Sequence, residues 1–174
     1  MIDRSFLYDL LLLLHVFAAI VGFGTVFLNG LYGAQAKQRP GPGGVAIGEA
    51  NFAVTMIAEW FIYSVPITGI LLVLAQGDFE IWKFSQLWVW LSIVLYVVAL
   101  GISHGSQIPA SRRMNELAKE LAAAGPPPEG AAPGGPPPQV VEMEALGKRL
   151  GAGGAVLNLL LVVILVLMVW KPGV

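Results

Sequence analysis

Leu150–Trp170 reads LGAGGAVLNLLLVVILVLMVW, 21 residues without a charge in which Asn158 is the only amide. At 1.5 Å of rise per residue, such a stretch crosses a hydrocarbon core of about 30 Å as a helix. Three more stretches have the same reach. Leu10–Ala36 and Phe84–Ser111 contain no Asp, Glu, Lys or Arg, and Ala50–Gln76 contains only Glu59. Lipid leaves open backbone groups unsatisfied and four spans are too few to close a barrel, so the spans must be helices. The expected fold is all-α: one membrane domain over 1–174, a four-helix bundle with spans at about 6–36, 50–76, 84–108 and 150–170.

Composition agrees. Hydrophobic residues make up 56% of the 174 and charged residues 12%, about half the charge of a soluble domain. A net charge of −1 with no basic run speaks against nucleic acid as a partner. The absence of cysteine excludes disulfides, thiolate metal sites, covalently attached haem and a cysteine nucleophile. No hydrolytic constellation, phosphate loop or HExxH motif is present. The first span is too long for the apolar part of a signal peptide and no A-x-A site follows it, so it is expected to be retained.

Basic residues orient the spans. The first and third loops carry Lys37, Arg39, Arg112, Arg113, Lys119, Lys148 and Arg149, against Arg4, Lys83 and Lys171 on the other side. The expectation is a multi-pass protein of the inner (plasma) membrane with both termini outside the cytoplasm. Tyr8, Trp82, Trp88 and Trp170 then lie at the outer interface, where amphipathic rings prefer to sit. Gln38–Gly44 (QRPGPGG) reads as a connection, Gly77–Lys83 as a tight outer turn, and 125–138 as a flexible Pro/Gly-rich cytoplasmic loop. Residues 109–124 read as an amphipathic helix, with Met114, Leu117 and Leu121 on one face, lying along the headgroups.

Polar and small residues recur at helical spacing within the spans, as they do where helices face one another. The stripes include His15, Gly22, Thr25 and Asn29; Thr55, Glu59, Tyr63 and Pro66; Ser92, Tyr96 and Ser103; and Gly151, Gly154 and Asn158. Counted from Phe6 and from Ala50, His15 and Glu59 each lie nine residues, about 14 Å, deep from opposite surfaces. They are expected to meet at the midplane, with Tyr63, Tyr96 and Asn158 beside them as a candidate binding site. A charged carboxylate at that depth costs several kcal/mol, so Glu59 is expected to be neutral or paired with His15. His104, about 30 Å into its span and one residue off the Ser92–Tyr96–Ser103 stripe, is expected at the cytoplasmic rim, outside that layer. Pro66 removes the amide that would bond the Ile62 carbonyl and should kink the second span.

Three functions fit this pattern. One is a midplane site, His15 with Glu59, for a proton, a small ligand or a cofactor. Another is a haem-binding membrane redox protein with His15 as axial ligand, since bundle histidines are standard haem ligands. The third is a structural or accessory subunit. One His and one Glu are too few for a tight metal site of protein ligands alone. The expected partners are the lipid bilayer and a second copy of the chain or another membrane protein.

Two stretches, LLLLHVFAAIVGFGTVFLNGLYG at 11–33 and the region from ITGILLVLAQ at 67–76 to ISHGSQIPASRRM at 102–114, resemble a family of predicted bacterial membrane proteins of unknown function. That family is grouped with copper-resistance protein D-like and HemJ-like membrane proteins. The resemblance implies a four-helix membrane domain with His15 as the family-like histidine, associated in HemJ-like proteins with haem and protoporphyrinogen oxidation.

Overall fold

The structure is a computed structural model and describes residues 6–39, 41–76, 82–125 and 135–173. Most of the turn expected at 77–83 and of the Pro/Gly run at 125–138 lies outside the described residues. The described chain is helical: α1 (Phe6–Gln38), α2 (Pro42–Leu74), α3 (Leu87–Ile102), a wide π turn (Ser103–Gln107), α4 (Ile108–Ala124) and α5 (Pro138–Trp170). Four helical rods, with α3, the wide turn and α4 forming the third, are long and apolar enough to cross a membrane.

Two helices start earlier than the charge-free stretches suggest. α2 begins at Pro42 and α5 at Pro138, each with proline in the first turn, where its missing N–H has no helical acceptor to satisfy. At 33 residues, α1, α2 and α5 are each about 50 Å long and outreach the hydrocarbon core.

α1 and α2 form a tight hairpin. Gly41, at φ 77°, turns the chain, and Gly44 lies against the Ala36 and Arg39 carbonyls, where a Cβ would collide with backbone. The register is regular. Asn29 accepts from Thr55, Gly22 lies against Ile62 and His15 lies against Gly69. Each step of seven along α1 is matched by seven along α2, the spacing that keeps one seam of two helices in contact. α1 also packs on α5, and α3 packs on α5. The centre is held by Ala18, Val65, Tyr96 and Ile164, and a second cluster joins Trp88, Val89 and Leu167. Outward-facing Leu13, Ile20, Trp60, Val97, Leu159 and Val169 are more than half exposed, a belt suited to lipid rather than water.

The third rod changes direction of contact within itself. Pro109 cannot donate to the Gly105 carbonyl and its ring crowds that turn, and the chain relaxes into the wider turn at Ser103–Gln107. A wide turn delays the helical phase by about one residue. The face below it therefore reaches α2 as well as α5. This corrects the expectation for 109–124. α4 does not lay its apolar face along the headgroups, because α2 and α5 cover it. Leu117 is 0% exposed, Asn115 donates to the Gly48 carbonyl at 3.3 Å, and Lys119 meets Glu49 at 2.6 Å. The early starts of α2 and α5 supply those partners.

Candidate functional site

The hairpin register separates the two residues expected to pair. Glu59 stands opposite Thr25, four residues from the Thr55–Asn29 contact, whereas His15 stands opposite Gly69. Ten residues of α2 lie between those levels, about 15 Å. The His15–Glu59 hydrogen bond is thus corrected: each finds other partners. The depth count failed because it began α2 at Ala50, eight residues after the helix starts.

His15 serves the helix next to it. Its Nδ1 lies 3.0 Å from the Val65 carbonyl and 3.0 Å from Thr68 Oγ1. A carbonyl can only accept, so Nδ1 carries the hydrogen. Tyr96 does similar work one turn away, donating to the Ile62 carbonyl, the group that Pro66 leaves without an amide. Both side chains satisfy backbone beside the proline, where lipid offers no substitute.

Glu59 belongs to a different constellation. Tyr63, one turn along α2, has its hydroxyl 3.2 Å from Glu59 Oε2 and 2.6 Å from His104 Nε2. His104 Nε2 is 3.9 Å from Glu59 Oε1. His104 Nδ1 lies 3.0 Å from the Leu100 carbonyl and so carries a hydrogen, which leaves Nε2 to face Tyr63. The Tyr63 and His104 rings stack at a tilt of 34° with centroids 5.9 Å apart. The row runs outward: the Glu59 side chain is 15% exposed and the His104 side chain 47%.

His104 is the residue that the sequence reading left out of the layer. It sits in the wide turn, and the delayed phase places it toward α2. The signal was present as the one-residue offset from the Ser92–Tyr96–Ser103 stripe, together with Pro109 one turn later. On the same turn Arg149 donates to Ser106 Oγ at 2.9 Å.

On its inner side Glu59 borders a cavity of about 60 Å³ between the helices, walled by Phe23, Ile62, Tyr96, Ser103, Leu157 and their neighbours. Asn158 shares this stretch of α5, and its Oδ1 is buried without a protein partner. Left unsolvated, such an atom costs about 1–3 kcal/mol. Of the five residues expected at one level, the structure joins Glu59 to Tyr63 directly and to Tyr96 across the cavity, places Asn158 beside that cavity, and leaves His15 apart. His15 does not line this cavity, whose volume falls well below the roughly 300 Å³ or more of organic-ligand pockets. Among the described residues, no three His, Asp or Glu side chains converge as metal ligands.

No curated protein and no solved structure matches the chain. A family model described as a predicted integral membrane protein, DUF2269, matches residues 9–172, nearly the whole chain and all four apolar rods. The chain belongs to this family of predicted integral membrane proteins.

Proposed function

We propose that the protein exchanges protons at Glu59 through the row Glu59–Tyr63–His104. The observation that carries this reading is the row itself, a carboxyl, a phenol and an imidazole linked by contacts of 3.2 and 2.6 Å from a cavity wall to an exposed edge. Its proton arithmetic balances. With Glu59 protonated and His104 neutral, Glu59 donates to Tyr63 and Tyr63 donates to Nε2. With Glu59 ionised and His104 cationic, Nε2–H donates to Tyr63 and Tyr63 donates to Glu59. Two short hops convert one state into the other, and the number of bound protons is unchanged.

The count of seven basic residues against three supports placing the His104 end toward the cytoplasm, in a plasma membrane, with both termini outside. In that orientation the row takes its proton from the cytoplasmic side. His15 and Tyr96 act in support, holding α2 in shape around Pro66.

The test is infrared spectroscopy of the full chain in liposomes across a pH titration. The expected result is a carboxyl band that appears on acidification in the wild type and is absent from Glu59→Gln. A carboxyl signal identical in both would overturn the proposal.

A further inference from the structure

Two polar atoms of the interior lie beyond the Glu59–Tyr63–His104 row. Ser92 on α3 is 3% exposed, and neither its Oγ nor Asn158 Oδ1 on α5 has a protein partner. Ser92 stands one turn from Tyr96 on the same face of α3. Asn158 follows Leu157 and lies one turn before Leu161, two walls of the cavity that Tyr96 and Glu59 share. Gly153 lies against Gln107 and Ile164 packs on Tyr96, so read along the bundle away from His104 the interior polar groups are Glu59, Ser103 and Asn158, then Tyr96, then Ser92. Beyond Ser92 the packed side chains Trp88, Val89 and Leu167 are all buried.

We infer that this cavity is a water-binding site. A short file of water molecules joins Glu59, Ser103 and the Asn158 amide to the Tyr96 oxygen and, one turn further, the Ser92 hydroxyl, and Trp88, Val89 and Leu167 seal its far end. Volume and chemistry both fit. About 60 Å³ holds about two waters at about 30 Å³ each, and a buried water needs two to four polar partners. A cavity lined by hydrocarbon alone stays dry, whereas this one, though mostly apolar, counts Glu59, Tyr96 and Ser103 among its lining residues. Among the described residues, Glu59 and Tyr96 are the titratable side chains lining it; α1 and α5 contribute apolar walls. Taken with the proposed role of Glu59, on which its use depends, the file gives that carboxyl a second proton contact. One contact opens through Tyr63 and His104, and the other lies between the helices.

Water-edited solid-state NMR of the full chain in liposomes tests this, since magnetisation passes from water only to nearby carbons. The side-chain carbons of Ser92, Tyr96 and Asn158 are expected to receive it nearly as fast as those of His104, and several-fold faster than those of Val89 and Leu167. Ser92 and Asn158 responding as slowly as Leu167 would overturn the inference, and the measurement needs no variant. The Glu59 titration is read separately. Fast transfer without a Glu59 carboxyl signal leaves the water site standing and removes the proton-exchange reading. Slow transfer with that signal does the reverse.

Discussion

The Tyr96 hydroxyl donates to the Ile62 carbonyl, the group that lacks a helical donor because residue 66 is proline. Neighbouring carbonyls are treated alike. Phe61 accepts from Ser64 Oγ at 2.7 Å, Ser64 from Thr68 Oγ1 at 2.8 Å, and Val65 from His15 Nδ1 at 3.0 Å. A proline break inside a membrane is tolerated when side chains replace the missing bonds, and here they come from three helices.

Tyr96→Phe should therefore destabilise the bundle by about 1–3 kcal/mol, the cost of a buried carbonyl left unpaired. Pro66→Ala restores an amide at residue 66, so the double variant should lose clearly less than Tyr96→Phe alone. Thermal unfolding in detergent measures the cycle. Losses that simply add would show that the two residues do not share the Ile62 carbonyl.

His15→Leu removes a donor to Val65 and should cost about 1–2 kcal/mol. Because ten residues of α2 separate the levels of His15 and Glu59, the Glu59 carboxyl band should not move in this variant. A shifted band would place His15 back beside Glu59 and contradict the hairpin register.

Much of the architecture was legible in the sequence, because span length and charge are one-dimensional properties. The absence of charge from Leu150–Trp170 suffices for a helix across lipid. Register is not one-dimensional. Where α2 begins depends on whether QRPGPGG is wholly loop or includes a first helical turn at Pro42, and eight residues there moved Glu59 away from His15. His104 was missed for a related reason. An unbroken 3.6-residue period carries it off the polar stripe, and the wide turn before Pro109 turns it toward Tyr63. The amphipathic pattern of 109–124 does not say whether lipid or helices cover it, and the longer α2 and α5 decide for helices.

Gly22 tests the seam between α1 and α2. A Cβ there would stand 2.9 Å from Ile62 Cγ1 and 3.1 Å from the Ile62 backbone nitrogen, so Gly22→Ala should cost about 1–3 kcal/mol through overpacking. Gly24, with nothing within 4 Å of a Cβ, is the control. Gly24→Ala should be neutral or slightly stabilising, since alanine favours helix. Equal effects at the two sites in detergent unfolding would argue against the seam.

At the basic end Arg113 grips Glu142 with two hydrogen bonds, 2.8 and 3.1 Å. The hydrogen bond from Arg113 holds the Glu142 carboxyl below its ordinary value. A lowered folded value means that the pair's contribution is complete above the ordinary glutamate range and is lost as pH falls through the lowered value. Glu142→Gln should thus unfold more easily than wild type at neutral pH and match it in strong acid. Both partners are exposed, so the difference should be small and shrink with added salt. A difference that persists unchanged into acid would assign it to packing instead.

Tyr63→Phe separates linkage from proximity. The variant keeps the ring against His104, at a centroid distance of 5.9 Å, and removes only the hydroxyl that touches both Nε2 and Glu59. If the hydroxyl couples the two groups, Glu59→Gln should shift the pH titration of the His104 ring resonances when Tyr63 is present. The same substitution should shift them far less in the Tyr63→Phe background, because the remaining 3.9 Å approach of imidazole and carboxylate has lost its bridge. The difference between these shifts is the coupling carried by the hydroxyl. Equal shifts in both backgrounds would mean that His104 senses Glu59 through space, and that Tyr63 passes no proton between them.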